Sequence, residues 1–176
     1  MNFSRCLFAS SLCLLLALGA PAMADTKVEL TNVHLCCFAC VSAANKILKG
    51  VEGVTATCDQ NGGKISITAR DDAAAQKALD ALAAGGFHGD TGSKTLTIKD
   101  DSGVTPGKVS KLKITAIHNC CQTCTKDIKK VLKKVDGVKE DTVVSRKTSF
   151  EVTGDFDAAQ VIKALNEAGY HAKVEK

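Results

Sequence analysis

Tryptophan is absent, tyrosine occurs once and phenylalanine six times in the 176 residues. So few aromatics exclude an aromatic-lined pocket and a base-stacking platform for single-stranded nucleic acid. Two prolines are too few for a rigid Pro-rich spacer. Past the first segment no apolar run approaches the ~20 residues that a membrane span needs. A net charge of +4 is too mild to argue for nucleic acid. No phosphate-cradling glycine loop, catalytic carboxylate pair or Ser/His/Asp order stands out. What remains is an ordinary globular balance, 45% apolar and 24% charged, with two numbers that carry information: fourteen Gly and nine Cys.

The first segment reads as an address. Met1–Ala24 carries one charge, Arg5, then an apolar stretch from Cys6 to Ala20, then Ala22-Met23-Ala24. That three-part pattern predicts a secretory signal cleaved before Asp25, which removes Cys6 and Cys13. The mature chain, periplasmic or secreted, keeps seven Cys and four His and meets an oxidising compartment.

The rest is written twice. His34-Leu35-Cys36-Cys37-Phe38-Ala39-Cys40 returns as His118-Asn119-Cys120-Cys121-Gln122-Thr123-Cys124, the pattern H-x-C-C-x-x-C at an offset of 84 residues. Val51-Glu52-Gly53-Val54 answers to Val135-Asp136-Gly137-Val138, and Gly86-Phe87-His88 to Gly169-Tyr170-His171. Six of the seven mature Cys and all four His fall in matched places. The expected organisation is a first domain over 25–103 and a second over 104–176, joined through Asp100-Asp101-Ser102-Gly103 and Pro106-Gly107.

Within each copy the pattern predicts β-α-β-β-α-β. Val28–Val33 and Leu112–Ile117 read as strands that run straight into the Cys loops, and a helix starts at the last Cys. Ile128, Val131, Leu132 and Val135 share one helix face, ringed by Lys126, Lys129, Lys130, Lys133 and Lys134. Gly50, Gly53 and Gly137 read as helix ends, Asn61-Gly62 as a hairpin turn, Asp71 or Asp72 and Asp155 or Asp157 as caps of the second helices. A last strand is expected from Phe87 and from Tyr170. Thr95–Lys99, without a counterpart, is an extra edge strand or a linker.

These residues resemble the heavy-metal-associated domain family, whose members include copper chaperones, the soluble domains of copper-transporting ATPases and the periplasmic mercury-binding protein. The family motif is G-M-x-C-x-x-C on a ferredoxin-like βαββαβ fold. The resemblance implies two tandem α+β domains of that fold and metal binding at Cys37 and Cys40 and at Cys121 and Cys124. His34 and His118 stand where the family has Gly, Leu35 and Asn119 where it has Met, and an added Cys36 or Cys120 precedes each pair. Phe87 and Tyr170 match the late loop that in the family lies beside the metal, which implies a shielding role.

Chemistry agrees. Two thiols at a helix start converge on one ion, and the helix N-terminus favours the thiolate. Soft thiolates select Cu(I) first, with Zn(II) and Hg(II) open. Cys36 and Cys120 are auxiliary ligands or thiols turned away, since neighbours in extended backbone point oppositely. His34 and His118 are auxiliary ligands or loop-bonding residues. His88 and His171 read as surface strand residues and Cys58 as a core thiol. Residues 25–103 carry eight Lys+Arg and ten Asp+Glu, and residues 104–176 carry fourteen and nine, so the halves differ in sign. The reading is a non-enzymatic carrier, one ion per loop, that trades metal with a donor or acceptor such as a transporter or cuproprotein and touches no nucleic acid. The alternatives are a thiol-disulfide oxidoreductase, which lacks the proline such enzymes set against the active Cys, a Zn or Hg scavenger, and a disulfide-stapled module, whose tight clusters could close only small loops.

Overall fold

The structure is a computed structural model and describes residues 25–175. The expected signal segment and its two cysteines lie outside the described residues. The element order is β1 (Thr26–Leu30), α1 (Phe38–Lys49), β2 (Val54–Asp59), β3 (Lys64–Ala69), α2 (Asp72–Ala84), β4 (Lys108–Thr115), α3 (Gln122–Leu132), β5 (Val138–Asp141), β6 (Phe150–Asp157), α4 (Ala158–Glu167) and β7 (Lys173–Val174).

Alternation builds the sheets and the 3.6-residue period covers them. In the first repeat Val28, Leu30, Ile65, Ile67 and Ala69 point to one face and are buried. Helix α1 lays Cys40, Ala44 and Leu48 on that face at intervals of four, and α2 adds Leu79 and Leu82. In the second repeat Leu112, Ile114, Phe150, Val152 and Phe156 meet Ile128, Leu132, Val161, Ile162 and Leu165. The hydrophobic residues thus form two clusters, and Cys124 belongs to the first although its own helix packs on the second.

The sheet of the second repeat runs β5-β6-β4-β7, all antiparallel, the ferredoxin-like order. The first repeat stops at β1-β3-β2. Its expected last strand shrinks to a single bridge, Thr31 to Asp90. Gly89, Asp90 and Gly92 are poor strand formers, and after Asp90 the Thr91 hydroxyl turns back to the Leu96 carbonyl at 2.6 Å. Thr95–Lys99 is no edge strand; it is a linker that lays Leu96 and Ile98 on the first core.

One smaller expectation shifts and one open choice closes. Helix α3 ends at Leu132, well before Gly137, whose left-handed φ of 83° serves the turn into β5. Asp71 and Asp157, rather than Asp72 and Asp155, cap α2 and α4. The hairpin after β2 is held by Asp59, whose carboxylate accepts from the backbone N–H of Asn61 and of Gly62 at 3.0 Å each. No helix among the described residues is long and apolar enough to cross a membrane.

Candidate metal centre

Both Cys loops sit between a first strand and the start of a helix, and Cys37 and Cys121 occupy the N-cap positions of α1 and α3. Neither side chain makes a capping hydrogen bond, so both thiols and both helix N-termini are left facing outward from the helix ends.

The two ends face each other. The repeats dock about an approximate two-fold relation that pairs like with like. Gly86-Phe87-His88 and Gly169-Tyr170-His171 run antiparallel across the junction: Phe87 bridges Tyr170, His171 N–H donates to Gly86 at 3.0 Å and His88 N–H to Gly169 at 3.0 Å. The His34 ring stacks on Tyr170 with centroids 4.2 Å apart, and the His118 ring on Phe87 at 4.3 Å. Each ring therefore stacks on the loop histidine of the other repeat, and both are fully buried; the Tyr170 hydroxyl also lies 3.5 Å from the Cys124 carbonyl of its own repeat.

Between these walls lie six thiols. Cys36 touches Cys124 at 3.5 Å and Cys40 touches Cys120 at 3.5 Å; Cys37 meets Cys121 at 3.8 Å and Cys40 meets Cys124 at 3.7 Å. Within each loop the C-x-x-C pairs stand at 3.6 and 3.7 Å. Cys36 and Cys120, which extended backbone alone could have turned away, point into the group. A loop flanked by a second repeat has sulfur partners on both sides. All six are free thiols, as is Cys58. Cys58 is half-buried, further out than a core thiol, with its S–H directed to Asn45 at 3.5 Å.

Packing thiols together makes their first proton easy to lose and the rest hard. Cys124 is strongly lowered, chiefly because the Cys40 thiol hydrogen-bonds to it, with His34, Cys36 and Cys121 adding donors against the cost of burial. Cys40 is raised in turn, first by that same bond and then by burial. Burial pushes Cys120 up to about 12 and raises Cys36 as well. At Cys37 burial also opposes the thiolate, but the nearby backbone N–H groups of Cys40 and Ala39, which face the sulfur without a close capping bond, and the Cys40 and Cys121 thiols outweigh it and bring the group to about 7.

The imidazoles complete the wall. His34 Nδ1 stands 3.3 Å from Asp127, which also accepts from the Tyr170 hydroxyl at 3.2 Å. His34 Nε2 and His118 Nε2 are buried with no hydrogen-bond partner. His34 lies in ligand reach of Cys36 and Cys124, and His118 of Cys40, Cys120 and Cys124. A soft donor set, with orphaned buried nitrogens against it, fits a soft metal ion. A carboxylate behind one imidazole is the arrangement that orients a metal-binding histidine. Burial lowers His118, which keeps it neutral and available.

Asp127 was not visible as a site residue in the sequence. Its signal was only its place three residues after Cys124, and the first repeat has Ala43 there. His88 and His171 were read as surface residues and are not. His171 is buried, 2.7 Å from Asp101, and its Nδ1 stands 3.3 Å from His88 Nδ1. Their matched positions in the two copies were the missed clue.

Residues 114–171 match the heavy-metal-associated domain family. That segment is similar to heavy-metal-associated domains. The first repeat carries the same cysteine motif and resembles that family in its turn. Among solved structures, oxidised MerP from Ralstonia metallidurans CH34 is 25% identical over 40% of this chain and 100% of its own, with a TM-score of 0.33. The N-terminal soluble domains of Bacillus subtilis CopA are 19% identical over 87% of this chain and 95% of theirs, with a TM-score of 0.32. The first two RRM domains of yeast poly(U) binding protein Pub1 are 10% identical over 85% and 98%, with a TM-score of 0.25. No curated protein matches the chain. The resemblance to the family is carried by the heavy-metal-associated match and the cysteine loops, and structural overlaps this loose add nothing to it.

Proposed function

We propose that this chain is an extracytoplasmic carrier or store of soft metal ions, Cu(I) before Zn(II) or Hg(II), and not an enzyme. The observation that supports it is the convergence of six free thiols from two heavy-metal-associated loops. Metal moves by ligand exchange. An incoming thiolate forms one metal–sulfur bond as one of the chain's cysteines leaves, a proton replaces the metal on the departing sulfur, and no electron is transferred.

The partner is a donor or acceptor with thiols of its own, a transporter or cuproprotein. Helix α3 offers the landing surface. Lys129 pairs with Asp141, while Lys126, Lys130, Lys133 and Lys134 form no ion pair among the described residues. Such a stripe beside the Cys121 loop steers an acidic partner.

One observation favours a second reading, thiol-disulfide exchange: Cys36 with Cys124 and Cys40 with Cys120 are close enough to begin bridging the repeats on oxidation. Native mass spectrometry of reduced residues 25–176, offered Cu(I), Zn(II) and Hg(II) in competition, separates the readings. Retained Cu(I), lost when Cys37 and Cys121 become Ser, supports the carrier. Preferred Zn(II) or Hg(II) changes the cargo. No metal bound, with reversible disulfide formation instead, moves the function to redox.

A further inference from the structure

Resting on the Cu(I) reading above, we propose that the six thiolates hold one tetranuclear Cu(I) cage shared by both repeats, in place of one ion per loop. The argument is the shape of the sulfur set. Place Cys36 opposite Cys120, Cys37 opposite Cys124, and Cys40 opposite Cys121. The six Sγ atoms then mark an octahedron. Each of its edges except that between the sequence neighbours Cys120 and Cys121 spans 4.8 Å or less, and most span 3.5–4.0 Å. None of the three opposite pairs makes a close sulfur contact.

Octahedral sulfurs offer triangular faces. With metal–sulfur bonds of about 2.3 Å, a two-coordinate linear ion needs sulfurs about 4.6 Å apart, whereas a trigonal ion needs about 4.0 Å. The C-x-x-C pairs at 3.6 and 3.7 Å are short for the linear geometry and close to the trigonal one. Four alternate faces use every edge once: Cys36-Cys40-Cys124, Cys37-Cys40-Cys120, Cys120-Cys121-Cys124 and Cys36-Cys37-Cys121. Three of the four draw ligands from both repeats, and so does the shared geometry of the whole. Each sulfur bridges two ions and each ion takes three sulfurs, which fixes the stoichiometry at four Cu(I) to six thiolates.

The step balances. Four Cu(I) enter, up to six thiol protons leave, no electron changes hands, and the cage carries two negative charges. The N-termini of α1 and α3 both face it and offset that charge. The unpartnered Nε2 atoms of His34 and His118 border it, and Phe87 and Tyr170 close it from water. This also gives the extra Cys36 and Cys120 their task, since two C-x-x-C pairs alone have too few sulfurs to share.

The test titrates Cu(I) into reduced residues 25–176, which contain both sheets and both cores, and follows loading by native mass spectrometry and copper X-ray absorption. The expected result is apo protein passing to a four-copper form with little in between, and a copper–copper scattering shell. Removing the thiols of one loop only (Cys37→Ser with Cys40→Ser) abolishes the four-copper form altogether. Cys36→Ser with Cys120→Ser, milder for folding because the C-x-x-C pairs stay, also abolishes it while leaving some copper bound. Far-UV circular dichroism of the metal-free variants confirms that the fold is kept. Two coppers loading independently without a copper–copper shell, with the one-loop variant retaining one, overturns the cage and leaves the carrier reading standing. Failure to retain any Cu(I) overturns both.

Discussion

Tyr170 and Phe87 occupy the same place in the two copies and do unequal work. The Tyr170 hydroxyl donates to Asp127 at 3.2 Å, and Asp127 also holds His34. On the other side Phe87 lies over His118 and the position of Asp127 is filled by Ala43, so that imidazole has a stack and no carboxylate. Tyr170→Phe keeps the stack and loses the hydroxyl bond, an expected cost of about 1 kcal/mol. Tyr170→Ala opens a void under His34 and costs about 3–5 kcal/mol. Urea unfolding of the reduced, metal-free protein measures both. Equal losses for the two variants would mean that the ring contributes nothing beyond its hydroxyl. The resemblance to the family implied that the paired aromatics lie beside the loops. That each ring stacks on the opposite loop was not legible, because a repeat written twice says nothing of how its copies face.

The four helices of the described residues divide by what stands at their start. Helices α2 and α4 begin at Asp71 and Asp157, whose carboxylates accept backbone N–H bonds of 2.7 and 2.8 Å. Helices α1 and α3 begin at cysteines that cap nothing. The fold thus spends its good caps on the helices away from the metal loops and leaves open the two whose N–H groups face the sulfurs. Asp71→Ala is expected to lose about 1 kcal/mol. Asp157→Ala should lose more, since Asp157 also accepts from the Gly107 N–H at 3.1 Å and so ties the linker to α4. Thermal melts of the two variants and of their combination check this, and additive losses are expected for caps on separate helices with no shared hydrogen-bond partner. Caps, helix faces and the strand alternation were readable from residue spacing because each is a local matter. The missing last strand of the first repeat was not, since after the Thr31–Asp90 bridge the chain turns back on itself, with the Thr91 hydroxyl donating to the Leu96 carbonyl at 2.6 Å.

For the whole molecule the decisive residues are two that have no side chain. Gly86 has φ 82° and Gly169 φ 84°, and a Cβ on Gly86 would run into the His118 backbone N, while one on Gly169 would run into that of His34. The repeats approach this closely only because both positions are bare, and the six sulfurs meet only because the repeats approach. Gly86→Ala should therefore part the thiols of the two loops while each repeat keeps its own core. Backbone strain alone could also weaken such a variant, so Gly92→Ala is the control. Gly92 has φ 65° and open space around its missing Cβ, which shares the strain without the collision. Mild oxidation of the metal-free protein, followed by peptide mapping, reads the distance between loops as the rate of Cys36–Cys124 and Cys40–Cys120 bridging. That rate follows the effective concentration of one thiol at the other, and a fall of about tenfold or more is expected in Gly86→Ala. Gly92→Ala should bridge at the parent rate. If both variants bridge like the parent, the repeats are held together by something other than the glycine contacts. If both fall equally, strain and not the collision sets the docking.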